Sequence, residues 1–157
     1  VDPAQAVRAM SSLALHAEAH EHAAPRNRSA DEQTSFSAGV AISAVSSAEH
    51  IRARAIVTLA GSGYTALHMS KRRPRVPIIA LGSYEPTLRR LAVLHGVTPI
   101  SIEKRGDFEA QLQTADSYLL SKGLAAVGDT VVVAAAIPLG QHKEPNTIRF
   151  HRVRKPT

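Results

Sequence analysis

Hydrophobic positions along this chain follow two periods, one near 3.6 residues and one of unbroken short runs, and the switches between them mark its elements. Asp2-Pro3 sets an acceptor side chain ahead of a proline whose fixed φ suits a first helical turn. Ala6, Val7, Met10, Leu13, Ala14 and Ala17 follow at helical spacing, which predicts a helix to about His22. Residues 23–36 are polar and interrupted and read as a connecting loop. Val40, Ala41, Ala44, Val45 and Ala48 then share one face of a helix over 37–53, and their small size predicts close packing. Beyond it, apolar runs alternate with helical stretches: a strand at 55–60, a helix at 64–73 and a strand at 77–82. Glu85-Pro86 opens a helix with Leu88, Leu91, Ala92 and Leu94 inward and Gly96 as its C′ glycine. A strand at 97–102 follows, with Pro99 marking an edge. Asp107 caps a helix running to Lys122 and closed by Gly123, and a Gly128-Asp129 turn leads into a strand at 130–137. After a loop at 138–146, Ile148, Phe150 and Val153 are set against Arg149, His151 and Arg152 over 147–153, which predicts an edge or antiparallel strand with one wet face.

Unbroken apolar runs separated by one helix length predict parallel strands joined by right-handed crossovers. The expected fold is therefore α/β: a three-layer α/β/α sandwich on a five-stranded, mostly parallel sheet, its C-terminal strand antiparallel to the fourth. Residues 1–36 are read as an N-terminal helix and connecting loop, and residues 37–157 as a single α/β domain. Ligands bind beyond the carboxyl ends of such strands, which places the Gly61–Thr65 turn and the 138–146 loop in one expected site.

Composition narrows the classes. The 157 residues are 44% hydrophobic and contain no Cys, which excludes disulfides and thiolate metal sites. No run approaches a transmembrane length and no basic segment precedes an apolar one, so neither a membrane span nor a signal peptide is expected, and the cytoplasm is the expected compartment. The chain opens on Val rather than Met, and is read as processed or as a piece of a longer protein. Its net charge of +6 points to anionic partners. With only 4% aromatics and basic clusters confined to Lys71–Arg75 and Arg149–Lys155, nucleic acid is not the expected one.

The stretch Gly61-Ser-Gly63-Tyr-Thr-Ala66 carries the candidate chemistry. A strand, a glycine turn and a helix start point backbone N–H groups at an anion. Formally it matches G-x-G-x-x-A, with Glu85 near the place of a ribose-binding acid, so a dinucleotide site is one alternative. A phosphosugar-binding module and a purely structural tight turn are others. It is not a P-loop, because no Gly-Lys-Ser/Thr follows. His16, His20 and His22 lie within a turn or two of helix, but no carboxylate completes a metal motif. No nucleophile or catalytic dyad stands out.

Several colinear segments bear on the choice. They are Pro3–Met10 through Glu18, Ala55-Ile-Val to Ser62-Gly63-Tyr-Thr65-Ala66, Arg73-Pro74-Arg-Val-Pro77-Ile-Ile-Ala80, Leu94-His-Gly96-Val-Thr-Pro99, Gly123, Gly128-Asp129-Thr-Val-Val-Val133 and Asn146-Thr-Ile148. Together they span nearly the whole chain, which resembles the C-terminal domain of pyruvate kinases. The resemblance implies that Mg²⁺, K⁺, ADP and phosphoenolpyruvate are bound by barrel and lid domains that this chain lacks. The chain itself would then be inactive and hold no cofactor. It further implies a domain that binds a sugar-phosphate or nucleotide effector and builds a homo-oligomer interface. Carried over by position, the effector phosphate turn is Ser62, Gly63 and Thr65, beside Gly61 and Tyr64, with Asn146 from the last loop. Three positions depart from the pattern. Ala60 stands where the family often has Thr, Tyr64 where it often has Arg or Lys, and Glu144-Pro145 where a glycine-rich loop is usual. The alternative from another class is a free-standing phospho-ligand or dinucleotide-binding module.

Overall fold

A computed structural model describes residues 2–20, 35–103, 107–139 and 144–156. Ten elements run in order: α1 (Pro3–His20), α2 (Phe36–His50), β1 (Ile56–Leu59), α3 (Tyr64–Lys71), β2 (Ile78–Gly82), α4 (Glu85–Leu91), β3 (Val97–Ser101), α5 (Phe108–Ser121), β4 (Thr130–Ala135) and β5 (Thr147–Arg152). His22 and most of the expected 23–36 loop lie outside the described residues, but Phe36 already opens α2, with Ser35 before it. The Ser35 hydroxyl accepts from Ala38 N at 3.4 Å as the N-cap, and Asp107 does the same for Ala110 N at 2.7 Å.

The sheet order is β3-β2-β1-β4-β5. β1 pairs in parallel with β2 and β4, β2 in parallel with β3, and β4 antiparallel with β5. This is the expected five-stranded mixed sheet, and Pro99 sits on its β3 edge. The order also explains the layers. From β1 the chain steps outward twice, to β2 and to β3, so right-handed crossovers set α3 and α4 on one face. It then reverses to β4, which sends α5 to the other face.

On the first face α2 lies beside α3. Ala41, Ala44 and Ala48 are fully buried there against Ile56, Ile78, Ala80, Val132 and Ala134. The predicted small-residue face is thus what lets helix and sheet approach. On the second face Leu112, Ala115 and Leu119 of α5 cover Val57, Ile79, Leu81, Val131 and Val133. Helix α1 differs from the rest: Val7, Met10 and Leu13 are 66–71% exposed. Among the described residues no helix is long and apolar enough to cross a membrane.

Two expectations need correcting. Gly96 is not the C′ residue of α4, which ends at Leu91 with Ala92 as its cap. Gly96 (φ 70) instead turns the chain into β3, and its carbonyl accepts from Ile78 N at 2.8 Å. Along β5, Ile148 faces inward, as does Val153 just past it, but Phe150 is 60% exposed while His151 is only 3% exposed. Odd positions of β5 face α5, where Asp116 supplies a partner for the imidazole. Even positions face the α2 side, where α2 covers Ile148 and leaves Phe150 open.

Candidate anion-binding corner

The carboxyl end of β1 runs straight into the candidate turn. Ala60 N still donates to Leu81 O at 2.7 Å, after which Gly61 and Ser62 leave the sheet as exposed residues. Gly63 is the N-cap of α3 in the left-handed region (φ 86, ψ −4), with no side chain to cap the helix. A second constraint also demands glycine there. A Cβ would lie 3.1 Å from Thr87 Cγ2 and 3.2 Å from Leu91 Cδ2, so α4 crosses directly over the turn. The first helical bond runs from Leu67 N to Gly63 O at 3.0 Å. The N–H groups of Tyr64, Thr65 and Ala66 therefore have no intrahelical acceptor, and they sit at the positive end of the helix dipole.

The side chains differ in their availability. Ser62 is exposed, Tyr64 is 61% exposed, and Thr65 is only 8% exposed. Arg90, from α4, reaches back to the turn: its Nη2 donates to Ser62 O at 3.5 Å and to Thr87 Oγ1 at 3.3 Å. Spacing could not have revealed Arg90, because it lies 28 residues from Ser62 and meets it only through the packing of α4.

Gly61, Ser62, Gly63, Tyr64 and Thr65 thus form one corner. Asn146 stands at the same carboxyl end of the sheet, just before β5, where its N donates to Ala135 O at 3.0 Å, but its side chain is committed elsewhere. Its Oδ1 accepts from Ile137 N at 2.8 Å and its Nδ2 donates to Ile137 O at 2.7 Å. Thr147 Oγ1 also donates to Asn146 Oδ1, at 2.9 Å. Asn146 clamps the base of the loop after β4. A shallow cleft of about 410 Å³ lies beside it, between Phe36, Gly39 and Val40 of α2 and Ile148 of β5.

The alternatives fare differently. Glu85, placed for a ribose in the dinucleotide reading, is paired with Arg89 at 3.1 Å. Among the described residues no group of three or more His, Asp or Glu side chains could hold a metal ion, and His22 lies outside them. A second cleft, of about 220 Å³, opens over the buried His151–Asp116 pair, between α5 and the C-terminal residues Arg154 and Lys155.

Known proteins agree with this architecture. The model of the pyruvate kinase alpha/beta domain matches residues 38–151. A pyruvate kinase of Staphylococcus epidermidis is 31% identical over 153 residues, covering 96% of this chain and 26% of that protein. A pyruvate kinase of Staphylococcus aureus matches with the same identity and coverage. This chain thus spans about a quarter of the length of these relatives. The solved structure of Cryptosporidium parvum pyruvate kinase in complex with ADP superposes with a TM-score of 0.67 at 24% identity, covering 83% of this chain and 25% of that one. That likeness concerns the fold alone. With the family match over most of the sheet and its helices, the chain belongs to the pyruvate kinase α/β domain family.

Proposed function

We propose that this chain serves as the effector-sensing and subunit-contact domain of a cytoplasmic pyruvate kinase. In this reading the transfer of phosphoryl from phosphoenolpyruvate to ADP, with its Mg²⁺ and K⁺, belongs to parts of the enzyme outside the chain, and the chain alone has no catalytic activity. The observation that carries the reading is the uncapped start of α3: three N–H groups with no intrahelical acceptor, the exposed Ser62 and a glycine that admits close approach. Such a corner suits the phosphate of a sugar phosphate or nucleotide. Two surfaces support the rest. The apolar stripe of α1 offers a packing face for a further domain, and β5 is the outermost described strand, offering its edge beside exposed Phe150 to a second copy.

Thermal melting with fructose bisphosphate, AMP, ribose 5-phosphate and NAD tests the effector reading. A phosphate ester should raise the melting temperature, because a ligand that binds only the folded state stabilises it by mass action. Ser62→Asp should remove that shift by setting a carboxylate where the phosphate would sit. A shift with NAD alone would favour the dinucleotide module, and a Ser62→Asp variant that still responds to phosphate esters would refute the site.

A further inference from the structure

We propose that the amino end of the sheet, opposite the corner described above, is a docking face for the phosphate backbone of a duplex nucleic acid, held by charge and not by base sequence. The four parallel strands begin at this end, and α2, α3 and α5 run back to it. Cations scattered along the sequence meet there. Arg52 and Arg54 lie between α2 and β1, and Arg54 N donates to Thr130 O at 2.9 Å, beside the start of β4. Lys71 ends α3, and Arg72, Arg73 and Arg75 follow on the way to β2. Ile56 N donates to Pro77 O at 2.9 Å, which sets that connection beside the start of β1. Lys122 caps α5. Arg152 closes β5 opposite Thr130, and its Nη1 donates to Gly128 O at 3.2 Å. All of these cations are exposed except Arg72, which is half-buried. Two carboxylates share this end, Glu49 and Asp129, and Asp129 is paired with Arg54 at 3.3 Å. Eight cations against two carboxylates leave an excess of six, which is the net charge of the whole chain; the remaining eleven Lys and Arg and eleven Asp and Glu cancel. A one-signed face of this kind draws polyanions from solution.

Helix dipoles account for part of this charge, since a cation at the end of a helix is ordinary. They do not account for Arg54, Arg75 and Arg152, which lie beyond any helix. Nor do they account for the backbone. Among the described residues, the two non-glycine residues with positive φ are Arg52 and Arg73. Both stand on this face, at positions where glycine would carry no strain. The chemistry of the face selects the partner. A protein partner would find its anchors in an apolar, aromatic centre, but the exposed large apolar side chains here are Ile51 and Val127. The exposed Phe36, Tyr64, Tyr84 and Phe150 belong to other parts of the fold, so the platform on which unpaired bases stack is missing too. What the face does offer is mainly arginine, whose planar fork meets two phosphate oxygens at once. Five strands about 4.8 Å apart make a row roughly 20 Å wide, and a duplex presents one charge per about 1.7 Å of its axis to such a row. Helices α2, α3 and α5 end at this face and do not lie across it, so the contacts position a backbone and read no bases. Sequence alone concealed the face, because only Lys71–Arg75 is contiguous and the topology gathers the rest.

Fluorescence anisotropy of the purified protein with two labelled DNA duplexes of unrelated sequence, over a series of salt concentrations, tests this. Both duplexes should bind alike, and affinity should fall by about a hundredfold or more between about 50 and 200 mM salt, as roughly four to six phosphate contacts require. Arg75→Gln with Arg152→Gln should weaken binding by about tenfold or more and lower the salt slope by about two. Arg89→Gln removes one charge from α4, where Arg89 pairs with Glu85, and should leave the affinity within about twofold. All three side chains are exposed, so the melting curves of the variants should match that of wild type. Should wild type bind neither duplex at low salt, or should the double variant bind with the affinity and slope of wild type, the proposal falls. Polyglutamate that displaces a duplex better than unlabelled DNA of equal charge would make the partner an acidic protein and overturn the assignment to nucleic acid.

Discussion

Arg52 and Arg73 occupy backbone positions that cost an arginine something. Both have positive φ, 52° and 47°, in the residue that follows a helix cap. After α2 the pattern is complete: Ala53 N donates to Ala48 O at 2.8 Å, and Arg52 N to Glu49 O at 3.3 Å. Those are the two bonds of a left-handed helix stop, in which glycine is the unstrained choice. The chain uses glycine for the same motif after α5, where Gly123 (φ 64) donates to Leu120 O at 3.1 Å and Leu124 N to Leu119 O at 2.9 Å. Arg52→Gly should therefore stabilise the protein and Gly123→Ala destabilise it, each by about 1 kcal/mol once the opposing unfolded-state entropy is counted. Urea unfolding measures both, and an Arg52→Gly variant no more stable than wild type would show that the backbone at 52 is unstrained. The contrast also shows what a sequence can reveal. Gly123 announces its own conformation, whereas Arg52 takes the same conformation without any signal in its side chain.

Among the elements, the ones most legible in the sequence were those whose own residues decide their fate. β1, β2 and β4 are apolar runs buried on both faces, and they lie where the runs placed them. β5 was half legible. Its pairing and direction followed from the loop before it, but two of its side chains were assigned to the wrong environment. Hydrophobicity alone sends Phe150 in and His151 out. The outcome turns on Asp116, 35 residues earlier, whose carboxylate meets His151 Nε2 at 3.0 Å with both side chains 3% exposed. Arg154 N donates to the same carboxylate at 3.1 Å, so one buried acceptor ties both β5 and the chain after it to α5. Nearby, Arg149 bonds Glu109 at 2.6 Å and holds that carboxyl below its usual range. Asp116→Ala strands a buried imidazole and a backbone N–H, and should cost about 3 kcal/mol or more. Replacing both partners, as Asp116→Leu with His151→Val, should recover the share due to the imidazole, because an apolar pair of similar volume needs no partner, while the Arg154 N–H stays unpaired and keeps the double variant below wild type. Denaturant unfolding of the single and double variants decides the matter. A cost for Asp116→Ala no greater than that of a typical surface substitution would mean the pair holds nothing in place.

At the scale of the whole molecule, the reversal of direction after β3 does the work. It leaves the carboxyl ends of β1 and β4 side by side, and it puts β5 outermost, where no described strand pairs with its far edge. Unpaired edges invite a further strand, and β5 adds an exposed phenylalanine where a surface residue would ordinarily be polar. The α1 stripe is a second uncovered apolar surface, remote in sequence. The two need not serve the same partner: relatives about four times longer than this chain leave room for α1 to pack within the enzyme while β5 meets another subunit. The proposed roles separate in one experiment. Sedimentation velocity should show wild type self-associating, Phe150→Glu sedimenting as a 16.8 kDa monomer, and Leu13→Glu associating like wild type. Both side chains are largely exposed, so neither change should cost more than about 0.5 kcal/mol of folding stability, and a loss of mass cannot be blamed on unfolding if the melting curves agree. If Leu13→Glu and not Phe150→Glu yields the monomer, copies of the chain meet through α1, and the assignment of the subunit contact to β5 is wrong.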